Sequence, residues 1–263
     1  MLFVFDLDGV LYLETTVIKG APHTVCYLRD SGHKIAFATN NALLSRAAYV
    51  KKLNGMGFEC TADEVMASAY AAGLYLKSKN AKGKPVFIIG EKGLQQELKD
   101  IGAKVYTERY KGALPEKMSY VVVGLDRKFN YNALKLARAY IEKGASFVAT
   151  NKDYTFPGKD AIYPGGGSMV AAVEAASGVK AFIVGKPQPF MLKILQKESG
   201  IGAKETVVVG DRYDTDMLFG KSAGTKTVMV LTGVTSKKET LKYKGRARPD
   251  MILKSVCDLE KYF

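Results

Sequence analysis

The stretch LFVFDLDGVLY, residues 2–12, sets two carboxylates, Asp6 and Asp8, directly after four apolar residues of strand-forming character. An unpaired charge in apolar surroundings is heavily penalised, so acids at the mouth of a core strand need a chemical reason to be there. Seven further runs share the form of its opening: KIAFA (34–38), VFII (86–89), YVVV (120–123), SFVA (146–149), AFIV (181–184), TVVV (206–209) and TVMVL (227–231). Short, apolar and rich in β-branched residues, they read as strands buried on both faces. Between them, NALLSRAAYVKKLNGMG (41–57), NALKLARAYIEKG (132–144) and QPFMLKILQKESG (188–200) are amphipathic, and each closes on a glycine, which ends a helix at low cost. Strands and helices alternating at this spacing define an α/β protein with mainly parallel sheets.

At 263 residues the chain exceeds the usual single compact domain, and two domains are expected. The polar, Lys/Gly-rich LKSKNAKGKP (76–85) and the short break ASGVK (176–180) bound an insertion. The expectation is a core made of 1–79 and 180–263, interrupted by a smaller unit over 80–179. A hydrophobic content of 47% supports real cores and argues against disorder.

Lys and Arg number 39 against 26 Asp and Glu, a formal charge of +13 that attracts anions in general: nucleic acid, acidic membranes or phosphorylated small molecules. The lysines are dispersed, and the one dense cluster, KKETLKYKGRAR (237–248), reads as a solvated helix and loop. Helix-turn-helix, zinc and RNA-recognition signatures are missing, so no specific nucleic-acid partner is expected. The three cysteines, Cys26, Cys60 and Cys257, are widely spaced, without a CxxC, and argue for a reducing compartment. Asp6 and Asp8 interrupt the apolar start before a leader could form, and no run approaches the ~20 apolar residues of a membrane span. The cytoplasm is therefore the expected location, with no membrane partner; a homo-oligomer stays open.

In an open parallel sheet, ligands sit outside the carboxyl ends of the strands. After LFVF come Asp6, Leu7, Asp8 and Gly9; after KIAFA, Thr39, Asn40 and Asn41; after AFIV, Gly185, Lys186 and Pro187; after TVVV, Gly210, Asp211 and then Asp214 and Asp216. Each alone is weak, because turns produce DxD and GD pairs freely. Four in order, each at a strand end, point to one chemistry. A hard cation such as Mg2+ takes oxygen ligands, which Asp6, Asp211 and the Asp8 carbonyl can supply. Thr39 with the amides that follow it, and Lys186, can hold phosphate oxygens. One carboxylate can attack phosphorus. A second, two residues on, shares a face of an extended strand and can protonate the leaving alkoxide and later deprotonate water.

FDLDGVLY, TNN, GKP and GDRYDTD, in that order, resemble the four motifs of the haloacid-dehalogenase-like (HAD) phosphohydrolase superfamily. With TNKD and PGGGSMVAAVEAASG they resemble its 4-nitrophenyl-phosphatase-like, or NagD-like, branch over nearly the whole chain. The resemblance implies a Rossmann-like parallel-sheet core with a large α/β cap inserted between the second and third motifs. It implies an Mg2+-dependent hydrolase of small-molecule phosphomonoesters that works through a phospho-aspartate. Asp6 then matches the nucleophile and Asp8 the general acid/base. Asp6, the Asp8 carbonyl and Asp211 match the metal ligands; Thr39, Asn40 and Lys186 the phosphate-binding groups; Gly9, Gly210 and Asp216 the supporting residues. The cap loop that selects the leaving group matches 151–156, with Asn151 and Asp153 as supports and Tyr154 and Phe156 lining a pocket.

VVVGLD (121–126) imitates VVVGD (207–211), but Asp126 lacks the acidic follow-up and is expected to be a plain loop residue. The glycines of 150–167 admit an anion at a helix start, yet a simple helix start capped by Ser168 is the favoured reading. Two other functions remain. A phospho-acceptor receiver module also uses paired acids, a hydroxyl and a lysine, but Asp8 would hydrolyse the phosphate it must keep. A basic nucleic-acid-binding protein is suggested by charge alone.

Overall fold

The computed structural model describes residues 1–157 and 161–263; positions 158–160 of the glycine-rich loop lie outside the described residues. The chain divides into two compact units, one formed by 1–39, 49–66 and 186–263, the other by 40–48 and 67–185.

The first unit is built on a six-stranded sheet in the order Met251–Leu253, Lys226–Val230, Thr206–Gly210, Leu2–Phe5, Lys34–Thr39, Val65–Ala67. Leu2–Phe5 runs parallel to both neighbours, with Phe5 level with Val209 on one side and Phe37 on the other. The chain leaves Leu2–Phe5 toward one edge and later returns to fill the other, which makes this strand the topological switch point, the place where such sheets bind ligands. All four of its residues are buried, and Phe3, Phe5, Phe37 and Phe58 make a continuous line of ring contacts. Helices Ala21–Asp30, Phe190–Ser199 and Leu218–Ser222 belong to this unit, as does a small hairpin of Tyr12–Leu13 and Thr16–Val17.

The second unit holds a five-stranded parallel sheet in the order Phe182–Ile183, Ser146–Ala149, Tyr120–Val123, Pro85–Ile89, Lys104–Tyr106. Helices Ser68–Ser78, Lys92–Asp100, Tyr131–Glu142 and Gly166–Ser177 accompany it. Its core joins Phe87, Val121, Val123, Phe147 and Ala149 of the sheet to Ala137, Ile141, Val170 and Val173 of two helices. A second hairpin pairs Thr155–Pro157 with Ile162–Pro164.

Helix Ser68–Ser78 belongs to the second unit, so the insertion begins near residue 67, earlier than the polar stretch at 76–85 suggests. The cause is packing. Ala69, Ala71, Ala72 and Leu76 are buried, and bare Gly73 brings this helix against the Glu97 carbonyl of Lys92–Asp100. Ser168 is not a helix cap: the helix starts at Gly166, and the Ser168 hydroxyl donates to the Tyr154 carbonyl at 2.8 Å. The glycines before it serve a close approach of chain to chain. Gly165 and Gly167 donate to the carbonyls of Tyr154 and Asp153 at 2.7 and 2.9 Å, so the helix start is occupied by protein.

Candidate active site

Asp6, Asp211 and Thr39 follow or close three adjacent parallel strands, and this alone brings them to one edge of the sheet. The Asp6 N–H continues the ladder, donating to the Val209 carbonyl at 2.8 Å. After Gly210 the chain enters a single π-helical turn, Tyr213–Met217, which carries Asp216 back toward the strand end; such turns are frequent at functional sites. Gly210 permits this, since a Cβ there would strike the Asp216 side chain.

Asp6, Asp211 and Asp216 offer carboxylate oxygens within 4.8 Å of one another, the one such acidic group among the described residues. Lys186 lies among them, 3% exposed, and donates to Asp6 Oδ1 at 2.5 Å, Asp216 Oδ1 at 2.7 Å and the Ala38 carbonyl at 3.0 Å. Burial opposes its charge, but Asp216 and Asp6 outweigh burial and hold the ammonium above the usual lysine range. Asp6 is lifted well above the usual carboxylate range, by burial first; Lys186 pulls against this while Asp216 and Asp211 add to it. Asp211 is pushed up to about 7, by burial and then by Asp216.

Asp211 is held by a loop on the far side. Val234 N–H donates to its Oδ2 at 2.6 Å, Thr235 N–H reaches its carbonyl at 3.3 Å, and Thr232 ties the loop to the Gly9 carbonyl at 2.6 Å. Asp211 Oδ1 is buried and has no hydrogen-bond partner. A buried acceptor is rarely left so. An orphaned oxygen amid hard oxygen donors and excess negative charge is what a hard divalent cation satisfies, and the residues present fit Mg2+.

Asp8 stands apart from this cluster. The strand ends at Phe5, the chain bends at Leu7, and Asp8 is exposed and forms an isolated bridge to Tyr12. The shared strand face invoked from the sequence is therefore not what places it. Its carboxyl is nonetheless raised, by partial desolvation first. Burial holds the hydroxyls of Tyr12 and Tyr49 well above the usual tyrosine range, and the charges of both Asp6 and Asp8 add to that rise. Thr39 is buried and shares a side-chain hydrogen bond with Tyr49. Asp214 projects outward and pairs with Arg212 at 2.9 Å.

The other expected residues form a polar knot within the second unit. The Asn40 side chain donates to both Asp153 carboxylate oxygens at 3.1 and 3.2 Å, so its amide is committed to protein. The Asn40 carbonyl accepts from Ser68 Oγ at 2.6 Å and Asn151 Nδ2 at 2.7 Å, and Asn151 Oδ1 accepts from Asp153 N–H at 3.0 Å. Asn151 and Asp153 thus brace the loop. Tyr154 is exposed. Phe156 lines a cavity of about 670 Å³ with Leu125, Phe129, Tyr163 and Met169. Asp126, which lines the same cavity, is a loop residue as the sequence suggests, but a buried one, 1% exposed and bound to Arg109 at 2.5 Å.

The 231–235 loop escaped the sequence reading, although a glycine and two threonines follow a fifth strand there just as polar residues follow the other four. Residues 3–104 match the family model of haloacid dehalogenase-like hydrolases, and residues 183–259 match a model described as HAD-hydrolase-like. The chain is 38% identical over 272 residues to phosphoglycolate phosphatase 1A, chloroplastic, of Arabidopsis thaliana, spanning 97% of this chain and 75% of that protein. It superposes on p-nitrophenyl phosphatase from Archaeoglobus fulgidus with a TM-score of 0.90 at 31% identity, covering 100% of this chain and 98% of that one. Against a glycerol phosphate phosphatase from Mycobacterium tuberculosis, solved with magnesium, the TM-score is 0.86 at 32% identity, covering 98% and 75%. The chain belongs to the haloacid dehalogenase-like hydrolases. Within them its sequence and fold fall in the 4-nitrophenyl-phosphatase-like branch.

Proposed function

We propose that this protein is an Mg2+-dependent phosphatase that hydrolyses small-molecule phosphomonoesters through a phospho-aspartate at Asp6. The observation that carries the reading is the buried Lys186 held between Asp6 and Asp216, beside an Asp211 oxygen that is buried without a partner. Its relatives support it: they are named as phosphatases of phosphoglycolate, glycerol phosphate and p-nitrophenyl phosphate.

In this reading Asp6 attacks phosphorus through the carboxylate oxygen not held by Lys186. Lys186 offsets the charge of the approaching phosphoryl oxygens, and its hydrogen bond to Asp6 Oδ1 keeps that carboxylate from rotating while Asp216 and the Ala38 carbonyl hold the ammonium in place. Thr39 offers its hydroxyl to the phosphoryl group, and Asn40, whose side chain is engaged by Asp153, contributes through its main chain. Asp8 gives its proton to the departing alkoxide, and its raised pKa favours the protonated form that this requires. It then takes a proton from the water that opens the acyl phosphate. Asp6, the Asp8 carbonyl and Asp211 would hold Mg2+, which supplies positive charge between two anions that otherwise repel. Gly9, Gly210 and Asp216 keep these groups in place. Choice of leaving group is assigned to the second unit, with Phe156 on its cavity wall and Asn151 and Asp153 bracing the loop.

The test is phosphate release from a panel of phosphomonoesters in Mg2+. Asp6→Asn is expected to lower kcat by at least about 10^4-fold with an unchanged melting curve, and chelation is expected to silence the wild type. Full turnover by Asp6→Asn overturns the assignment.

A further inference from the structure

Asp8 hangs from the hairpin that follows it. It bridges to Tyr12, and the Gly9 N–H donates to the Tyr12 carbonyl at 2.8 Å. Tyr12 and Leu13 pair with Val17 and Thr16, leaving Glu14 and Thr15 as the tip. Glu14 is left-handed, with φ 54°, and its N–H is among the groups that stabilise the Asp8 carboxylate. An isolated two-stranded hairpin is marginal in water, so its position must be fixed from outside.

Lys52, on helix Arg46–Gly55, does this from two directions. Its Nζ lies 3.8 Å from the centre of the Tyr12 ring and 3.4 Å from the Glu14 carbonyl. A cation over a ring face gains about 0.5–2 kcal/mol, more as water is removed. Lys52 is half-buried, and no carboxylate lies within ion-pair distance of it among the described residues. Its charge acts on the hairpin and, across a longer distance, on Asp8.

Resting on the functional reading above, we infer that Lys52 is a positioning residue: by clamping the Tyr12 ring and the Glu14 carbonyl it fixes the hairpin that holds Asp8 in line with the leaving group. Such a role has a signature. A basic alkoxide departs only with a proton, whereas 4-nitrophenolate departs unaided, so a displaced acid harms alkyl esters selectively. The ratio kcat/KM reports events up to alcohol departure and is blind to the later hydrolysis of the acyl phosphate.

Wild type, Lys52→Met and Lys52→Arg are compared on glycerol phosphate and 4-nitrophenyl phosphate in Mg2+, with melting curves alongside. Lys52→Met is expected to lose about tenfold or more in kcat/KM on glycerol phosphate and less than about threefold on the aryl ester, and Lys52→Arg is expected to recover most of the loss. A parallel fall on both substrates, or no fall on either, overturns the inference while leaving the phosphatase reading in place. A wild type that releases phosphate from neither substrate overturns both.

Discussion

Asp6, Asp211 and Asp216 approach within 4.8 Å of one another, and three carboxylates so close repel unless cations intervene. Lys186 is one cation; at the buried, partnerless Asp211 oxygen the proposed Mg2+ would be a second. Without Mg2+, Asp211 is a burden on the fold. Asp211→Asn is therefore expected to stabilise the metal-free protein by about 1 kcal/mol, raising Tm by roughly 2–4 °C. Added Mg2+ should raise the Tm of wild type and leave that of the variant unmoved, a difference that scanning calorimetry resolves. At this scale the sequence is legible where motifs sit at the ends of adjacent strands: Asp6 and Asp211 meet there, while Asp216 is brought back by the π-helical turn and Lys186 follows Phe182–Ile183, a strand of the other sheet. It was mute about Asp8, because a bend and a hairpin, not strand alternation, place that side chain. It was equally mute about Asn40, whose amide is claimed by a residue more than a hundred positions away.

Among the elements, helix Gly166–Ser177 carries its own electrostatic anchor. Glu174 is buried on this helix and meets Lys152 at 2.8 Å and Lys180 at 3.0 Å, with the Ala181 N–H also bonded to it. Burial would raise its carboxyl, but those partners prevail and draw it down to about 2. A carboxylate depressed in the folded state stabilises it above the unfolded pKa, and the benefit fades as pH falls from about 4.5 toward 2. Lys180 is largely exposed, so solvent reduces the full value of the shift, and about 1–2 kcal/mol is expected. Denaturant titration should show Glu174→Gln less stable than wild type by that amount at pH 6, with the gap closing near pH 2.5. Strands of four or more apolar residues were plain in the sequence; Val65–Ala67, Lys104–Tyr106 and Met251–Leu253 were not, since three residues carry no periodicity. The polar stretch at 76–85 and the two compact units divide the chain at different places. Composition marks a polar loop, whereas the unit boundary follows the burial of Ser68–Ser78 against its neighbour helix.

For the whole molecule the +13 charge makes a kinetic statement. A dispersed positive field draws dianionic esters toward the protein and is screened within about 10 Å at 0.1 M salt. Raising salt from about 0.05 to 0.5 M is expected to lower kcat/KM for a phosphomonoester about two- to fivefold while kcat holds steady; a flat kcat/KM would show that the charge plays no part in capture. Among the described residues no helix is long and apolar enough to cross a membrane. Two of the three acids, Asp211 and Asp216, are also walled in by positions that carry no side chain. A Cβ at Gly9 would lie 2.6 Å from Asp211 Oδ2, one at Gly233 would overlap the same carboxylate, and one at Gly210 would overlap Asp216. In a library of all single substitutions, these three inert sites would be as depleted as the acids they touch, so a map of mutational intolerance would outline the reacting groups together with their mould and could not tell one from the other.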